Sequence, residues 1–355
     1  MNELMLREML AQPETLAQGL LDMRRQVERL PKFVIDRVIL VGSGDSALAC
    51  QAVESLFGNT LSIPTLALPS MTAARYLSII AGDLVVLTSV SGESVRIIEA
   101  ARSARTCGAA TLAVIADPES RLVQACDARL VMPAPITRAT PHTRDYTSTL
   151  LALCVIGEHL SRGRWPWIEE WVAVTRALVQ RAIQWASGLA VKASNERVWF
   201  LGSGPDRATA AYGALKFWES GGSLACSDDL EEFAHGSLLQ ARPGDDVVIL
   251  ATGPSRSRAL EMLPGLARLR LNVLVITDQD TLPGVEVTRQ FQVPRLEGVP
   301  QTAMVTCFPV QALAYRYASA RSIDVLVPMN GAAYGPAFEA VHLEWVRSGA
   351  IEVHS

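Results

Sequence analysis

The sequence predicts an α/β protein built as two tandem three-layer α/β/α sandwiches, each around a parallel sheet. Three observations predict it. The chain is written twice: "RVILVGSGDSALACQAVESLF" (37–57) is answered by "RVWFLGSGPDRATAAYGALKF" (197–217). A second pair, starting at Gly82 and Gly244, repeats strand, polar turn, amphipathic helix, strand: "GDLVVLTSVSGESVRIIEAARSARTCGAATLAVIAD" and "GDDVVILATGPSRSRALEMLPGLARLRLNVLVITDQD". The strands are unbroken apolar runs rather than alternating ones, which means burial on both faces, as in a parallel sheet flanked by helices. Self-similarity at this size implies two copies of one domain, and right-handed crossovers make each a sandwich.

The elements follow in order. An amphipathic helical arm covers 1–32, with a break expected near Pro13. The first domain runs over 33–160 and a helical connector over 161–194. The second domain runs over 195–328. The tail, 329–355, carries a Gly/Pro turn and a short helix, and its segment "MNGAAYGPAFEAVH" has Asn330, Tyr334 and Glu339.

Composition narrows the function. The 355 residues are 49% hydrophobic and 19% charged, with a net charge of −4. That supports a large core and offers no basic tract for nucleic acid. Charges interrupt every apolar run of the arm, so it is not read as a signal peptide, and no run reaches the roughly 20 residues a membrane span needs. Six cysteines without a C-x-x-C pair read as reduced, cytoplasmic thiols. Five histidines without i, i+4 pairing argue for no metal.

Ligands of a parallel sheet sit beyond the carboxyl ends of its strands. Two polar loops of the first domain fall there: "GSGDS" (42–46) and "SVSGES" (89–94). The second places the hydroxyls of Ser89, Ser91 and Ser94 around Gly92 at a helix start, where backbone N–H groups and hydroxyls together cradle a phosphate without a lysine. The plain alternative is that these serines are turn and cap residues. In the second copy the corresponding loops are "GSGPDR" and "ATGPSRS", and Pro205 removes a donor. The first copy is therefore expected to hold the phosphate, and the second to contribute the helix of Lys216 and Glu219. Both glycine loops also invite comparison with the weak dinucleotide pattern G-x-G-x-x-A, which 42–47 fits and 202–207, ending in Arg207, meets only in its glycines. That pattern wants an acid about twenty residues on, which "LSIPTLALP" lacks and "SLACSDDL" meets loosely.

These residues together resemble the SIS (sugar isomerase) superfamily in its double-domain form. The closest comparison is the isomerase half of glucosamine-6-phosphate synthase, with the stand-alone amino-sugar-phosphate deaminases and fructosamine-6-phosphate deglycases. "SVSGES" matches that family's phosphate loop, so the resemblance assigns phosphate binding to Ser89, Val90, Ser91, Gly92 and Ser94, and Ser46 matches the serine of its first glycine loop. "GALKFWE" matches the helix ending in a lysine and a glutamate, Lys216 and Glu219, and "LEEFAHG" matches a segment with an acid and a histidine, Glu232 and His235. The resemblance implies that Glu219 moves a proton between C1 and C2 of a sugar. It also implies that His235, delivered by the neighbouring subunit of a homodimer, helps open the ring. The residues alone support the same logic: isomerisation needs a base for the proton beside a carbonyl and an acid for the oxygen. Lys216 stands either as partner of the carboxylate or as stabiliser of an enediolate. Without the resemblance, Lys216 and Glu219 read as an ordinary helix surface pair.

The sequence also departs from the pattern. Gly44 and Asp45 fall in the sugar-facing loop. Asp45 is read either as a helix N-cap or as a contact to a sugar hydroxyl or ammonium. His142 and Arg144 stand where the synthase has a serine and a lysine, and Arg144 is either a cation near the phosphate or a surface residue. Glu232 is a candidate to orient His235. No lysine follows Lys216, whereas the synthase closes its site with one, and a glutamine-hydrolysing domain is not expected. The expectation is a cofactor-free enzyme acting on a phosphorylated sugar or amino sugar, of deaminase or deglycase type and independent of glutamine. The rivals are a non-catalytic sugar-phosphate-binding regulator and a dinucleotide-dependent oxidoreductase.

Overall fold

The computed structural model describes residues 3–134, 141–191, 197–221, 224–284, 286, 289–296, 302–322 and 341. The tail readings at Asn330, Tyr334 and Glu339 lie outside these. The described residues form two compact units. The first takes 18–134 and 148–164, and the second takes 3–17, 141–147 and the described part of 165–322.

The first unit holds a five-stranded parallel sheet in the order β2-β1-β3-β4-β5. Its strands are β1 (Arg37–Gly42), β2 (Thr65–Pro69), β3 (Asp83–Thr88), β4 (Ala110–Ile115) and β5 (Ala128–Val131). Helices α2 (Asp45–Leu61), α3 (Ser70–Arg75), α4 (Val95–Thr106) and α5 (Arg121–Ala125) connect them. The central strands are buried along nearly their whole length, as their unbroken apolar runs require. Ile39, Val41, Val85, Leu87, Ala113 and Ile115 pack against Ile97, Ile98 and Ala101 of α4 to form one core.

The second unit repeats the design with a parallel sheet ordered β10-β9-β8-β6-β7. Its strands are β6 (Val198–Leu201), β7 (Ala225–Asp228), β8 (Asp246–Ala251), β9 (Asn272–Thr277) and β10 (Gln290–Gln292). Its helices include α7 (Trp167–Gly188), α8 (Pro205–Gly221), α9 (Leu230–His235), α10 (Arg256–Arg268) and α11 (Ala303–Ala320), and α11 packs on α7 and α8. The two tandem parallel sandwiches predicted from the repeat are the fold observed.

The repeat holds at the level of single bonds. In the turn before β3, Asp83 accepts from Ile80 N (2.8 Å) next to Gly82 at φ +96. In the turn before β8, Asp245 accepts from Arg242 N (2.9 Å) next to Gly244 at φ +95. A left-handed residue is required there, and glycine adopts that backbone without steric cost.

Two further helices, α1 (Glu3–Val27) and α6 (Arg144–Leu160), each contribute residues to both units. The break expected at Pro13 does not occur, since α1 runs through it. Proline lacks the N–H that would bond the carbonyl four residues back. Gln12 Nε2 donates to that carbonyl, Met9 O, at 3.0 Å, so the orphaned acceptor is satisfied and the helix continues. Within the first unit, Arg24 of α1 forms a buried fork with Glu158 of α6, at 2.7 and 2.8 Å.

Candidate functional site

In each sheet the first strand turns to one side for its next neighbour and the third strand to the other. The crevice beyond β1 and β3, and likewise beyond β6 and β8, is therefore the switch point where open α/β sheets bind ligands. Both polar loops of the first unit, 42–46 and 89–94, follow β1 and β3 and so meet at that point.

Gly42 admits no side chain, because a Cβ there would lie 2.5 Å from the Ser46 backbone carbon. Gly44 sits at φ +53 in open space and is itself the N-cap of α2, so Asp45 is the first helical residue and not the cap. Ser46 is buried in the first turn, and Ser43 Oγ lies 2.7 Å from Ser70 Oγ.

In the second loop, Ser89 Oγ accepts from Gly92 N (3.1 Å) and Ser91 Oγ from Glu93 N (3.3 Å). A hydroxyl that accepts an N–H still has a proton to donate. Val90 carbonyl accepts from Ala116 N (3.1 Å) and ties the loop to the chain after β4. Gly92, at φ +67, would push a Cβ to 2.2 Å from Ser120 Oγ. Ser94 occupies the N-cap of α4, yet its hydroxyl makes no capping bond. Glu93 points its carboxylate at Arg121 N (3.1 Å), at the start of α5. The loop thus gathers serine hydroxyls at the positive end of α4, an arrangement that can hold an anion.

The second crevice is built differently. Ser46 has Asp206 as its counterpart, and Asp206 is buried. One carboxylate oxygen takes the hydroxyl of Thr252 and the other that of Thr306, at 2.9 Å for the latter. Burial pushes this carboxyl up to about 6, with Asp278 adding to the shift and the threonine hydroxyls opposing it. An internal carboxylate therefore occupies the switch point, and an incoming pyrophosphate would meet that charge. This argues against a dinucleotide on the second glycine loop.

Lys216 and Glu219, the candidates of the second unit, lie near the end of α8. Lys216 is fully buried; its ammonium donates to His142 O (3.1 Å), pairs closely with Glu219 and lies 5.2 Å from the centre of the Tyr212 ring. Tyr212 stacks on Tyr146 with ring centres 3.8 Å apart, and its hydroxyl accepts from Gln311 Nε2 (3.0 Å). Gln311 also bonds Gln12 of α1. The Glu219 side chain keeps 19% of its surface exposed. The apolar neighbours do not wall it in: Phe217 packs into the core on Phe200 and Tyr317, and Trp218 is exposed with Nε1 donating to Ala225 O. Lys216 is the residue that holds the carboxylate.

Other sequence candidates are placed differently from expectation. Arg144 is not a spare cation: Glu8 holds it in a fork at 2.9 and 2.7 Å. The acid beside His235 is Glu231, 3.7 Å from Nε2, and not Glu232, which is exposed. Residues three and four apart are both neighbours on a helix, and here the carboxylate that reaches His235 is that of the i−4 residue, Glu231. His235 is 81% exposed and makes no bond to Glu219 among the described residues. His142 has a partner that sequence reasoning missed: its Nδ1 lies 2.7 Å from Asp145 Oδ2. The signal was legible as H-x-x-D at a helix start.

Comparison with known proteins agrees with this architecture. The chain is 26% identical over 352 residues to a glutamine–fructose-6-phosphate aminotransferase (isomerizing) of Zymomonas mobilis, covering 92% of this chain and 57% of that protein. It is 31% identical over 327 residues to the enzyme of that name from Acidithiobacillus ferridurans, covering 83% and 51%. The chain thus spans about half the length of these relatives. A crystal structure of glucosamine-6-phosphate deaminase from Thermotoga maritima superposes with a TM-score of 0.75 at 20% identity, covering 91% of this chain and 96% of that one, which speaks for the fold. The SIS domain family profile matches twice, over residues 34–156 and 193–319, one match on each sheet. The chain therefore belongs to the SIS domain family, with two copies of the domain.

Proposed function

We propose that the protein is an enzyme acting on a phosphorylated sugar. Glu219 moves a proton between C1 and C2, and the loop of Ser89, Val90, Ser91, Gly92 and Ser94, with Ser46, holds the phosphate. Gly44 and Asp45 line the sugar side of that loop. The observation that carries the reading is Glu219 itself: its carboxylate is anchored by a buried lysine while its side chain keeps 19% of its surface exposed. A base must be both fixed in place and reachable. The substrate class we favour is an amino-sugar phosphate or a sugar–amine conjugate, with C–N bond cleavage following isomerisation. Two relatives whose names carry amino-group chemistry on hexose 6-phosphates support it. Delivery of His235 by the second subunit of a homodimer is part of the proposal, supported by its exposure on α9.

The test is incubation with a panel of hexose and hexosamine 6-phosphates in deuterium oxide. NMR follows deuterium at C1 and C2, and a coupled assay follows ammonia. The expected result is exchange with at least one member, lost in Glu219→Gln. Binding without exchange across the panel in the wild-type protein would replace this reading with a sugar-phosphate-binding regulator.

A further inference from the structure

The group nearest in chemistry to Glu219 within its own unit is His142. It stands two residues before α6, and its carbonyl accepts both Lys216 Nζ (3.1 Å) and the Tyr212 hydroxyl (3.4 Å). Its backbone is thereby fixed to α8, the helix that carries Glu219. Its ring is fixed separately by Asp145, whose carboxylate is 2% exposed and takes Nδ1–H at 2.7 Å. With Nδ1 occupied, proton exchange is left to Nε2, which has no partner among the described residues, and the side chain is 25% exposed. The charged groups facing the ring are Asp145 on its own element and Lys216 and Glu219 on α8. Burial favours the neutral ring. The Asp145 hydrogen bond and charge outweigh it, Lys216 opposes and Glu219 assists, so the pKa of the ring is raised. His235 has no comparable fixture.

We propose that His142, oriented by Asp145, is the acid–base partner of Glu219. The inference rests on the sugar-phosphate reading above. In the ketose-to-aldose direction, Glu219 removes a proton from C1, and that electron pair forms the C1–C2 double bond. The carbonyl π pair moves to O2, which takes the proton from His142 Nε2. The enediol then loses its O1 proton to Nε2, the carbonyl forms at C1, and C2 takes the proton held by Glu219. Both side chains return to their starting states, and no atom or electron is left over. Asp145 acts as a positioning residue. It selects the tautomer with hydrogen on Nδ1 and stabilises the imidazolium.

The experiment compares wild type, His142→Gln and Asp145→Asn in the deuterium assay, using whichever hexose or hexosamine 6-phosphate the wild-type protein exchanges. His142→Gln is expected to slow exchange by about 10²-fold or more while the sugar phosphate still binds. Asp145→Asn leaves the imidazole in place but removes the charge that favours its protonated form. The alkaline limb of the rate profile is therefore expected to move to lower pH, a shift that a purely structural role would not produce. Exchange surviving in His142→Gln within tenfold of wild type, or an unmoved alkaline limb in Asp145→Asn, overturns this inference alone. Absence of exchange in the wild-type protein overturns the proposed function, and this inference with it. The two failures are read on different proteins and are distinguishable.

Discussion

The two switch points share a topology and a glycine loop, and they have opposite electrostatics. Beyond β1 the chain sets Ser46 in the first turn of α2, and beyond β3 it sets Ser89, Ser91 and Ser94 before α4, with the Glu93 carboxylate turned to α5. Beyond β6 and β8 it sets Asp206 against Thr252 and Thr306, with Pro205 opening α8. The socket carries an internal carboxylate in the second copy, and in the first, on the function proposed above, it would receive an external anion. A duplicated fold can thus retire one binding site without giving up the polar satisfaction the socket demands, because a carboxylate answers the hydroxyls that water or ligand would otherwise answer.

The comparison can be broken most directly by moving the plug. Ser46→Asp should abolish binding of inorganic phosphate or a hexose 6-phosphate, read by titration calorimetry. Two like charges roughly 4 Å apart at an intermediate dielectric cost about 4 kcal/mol, or roughly a thousandfold in affinity. Unchanged affinity would show that the anion does not sit at the Ser46 position. Next in size, Gly92→Ala should destabilise the first unit by about 2–4 kcal/mol. The left-handed φ of +67 and the 2.2 Å approach to Ser120 Oγ both act against a side chain. Urea denaturation measures this, and phosphate affinity should fall with it.

Asp206→Asn sharpens the other side. The folded-state pKa of about 6 is raised by burial above the ordinary carboxyl value. The contribution of this group is therefore fully present below the unfolded pKa, near 4, and is lost as pH rises through about 6. Stability of the wild-type protein should accordingly decline by about 2–3 kcal/mol between pH 4 and 7 on account of Asp206. The amide variant should lose that slope in denaturation curves taken across the range, while the threonine hydroxyls reorient to serve it. The smallest effect is expected of Glu93→Gln. It should weaken the hold on α5 by about 1 kcal/mol and leave phosphate affinity within threefold, since the carboxylate faces away from the serine loop. A large gain in affinity would mean that Glu93 had been repelling the anion.

Much of this architecture was legible in the chain. Runs such as Leu84–Leu87 and Val247–Leu250 declare buried parallel strands, and the doubled G-S-G loop declares the repeat. The edge strands were not legible. β2, β5, β7 and β10 are half exposed, with three to five residues each, so neither an apolar run nor a clean alternation marks them. Pro13 misled because the Gln12 side chain repairs the helix, and side-chain repair leaves no periodic trace. Arg144 appeared available because its partner Glu8 lies 136 residues away. Glu232 was chosen over Glu231 by matching a motif, and both are helix neighbours of His235, so spacing alone could not tell which side chain reaches it.

The sequence by itself determined the fold class, the twofold repeat and the residue types gathered after each strand, because hydrophobic periodicity and glycine placement act locally along the chain. Only the tertiary structure decided which charges are already matched. It gave Arg144 to Glu8 and Asp206 to two threonines from separate elements. Pairing depends on which side chains the packed sheets and helices bring within about 3 Å, and that distance is set by the assembled core rather than by spacing along the chain.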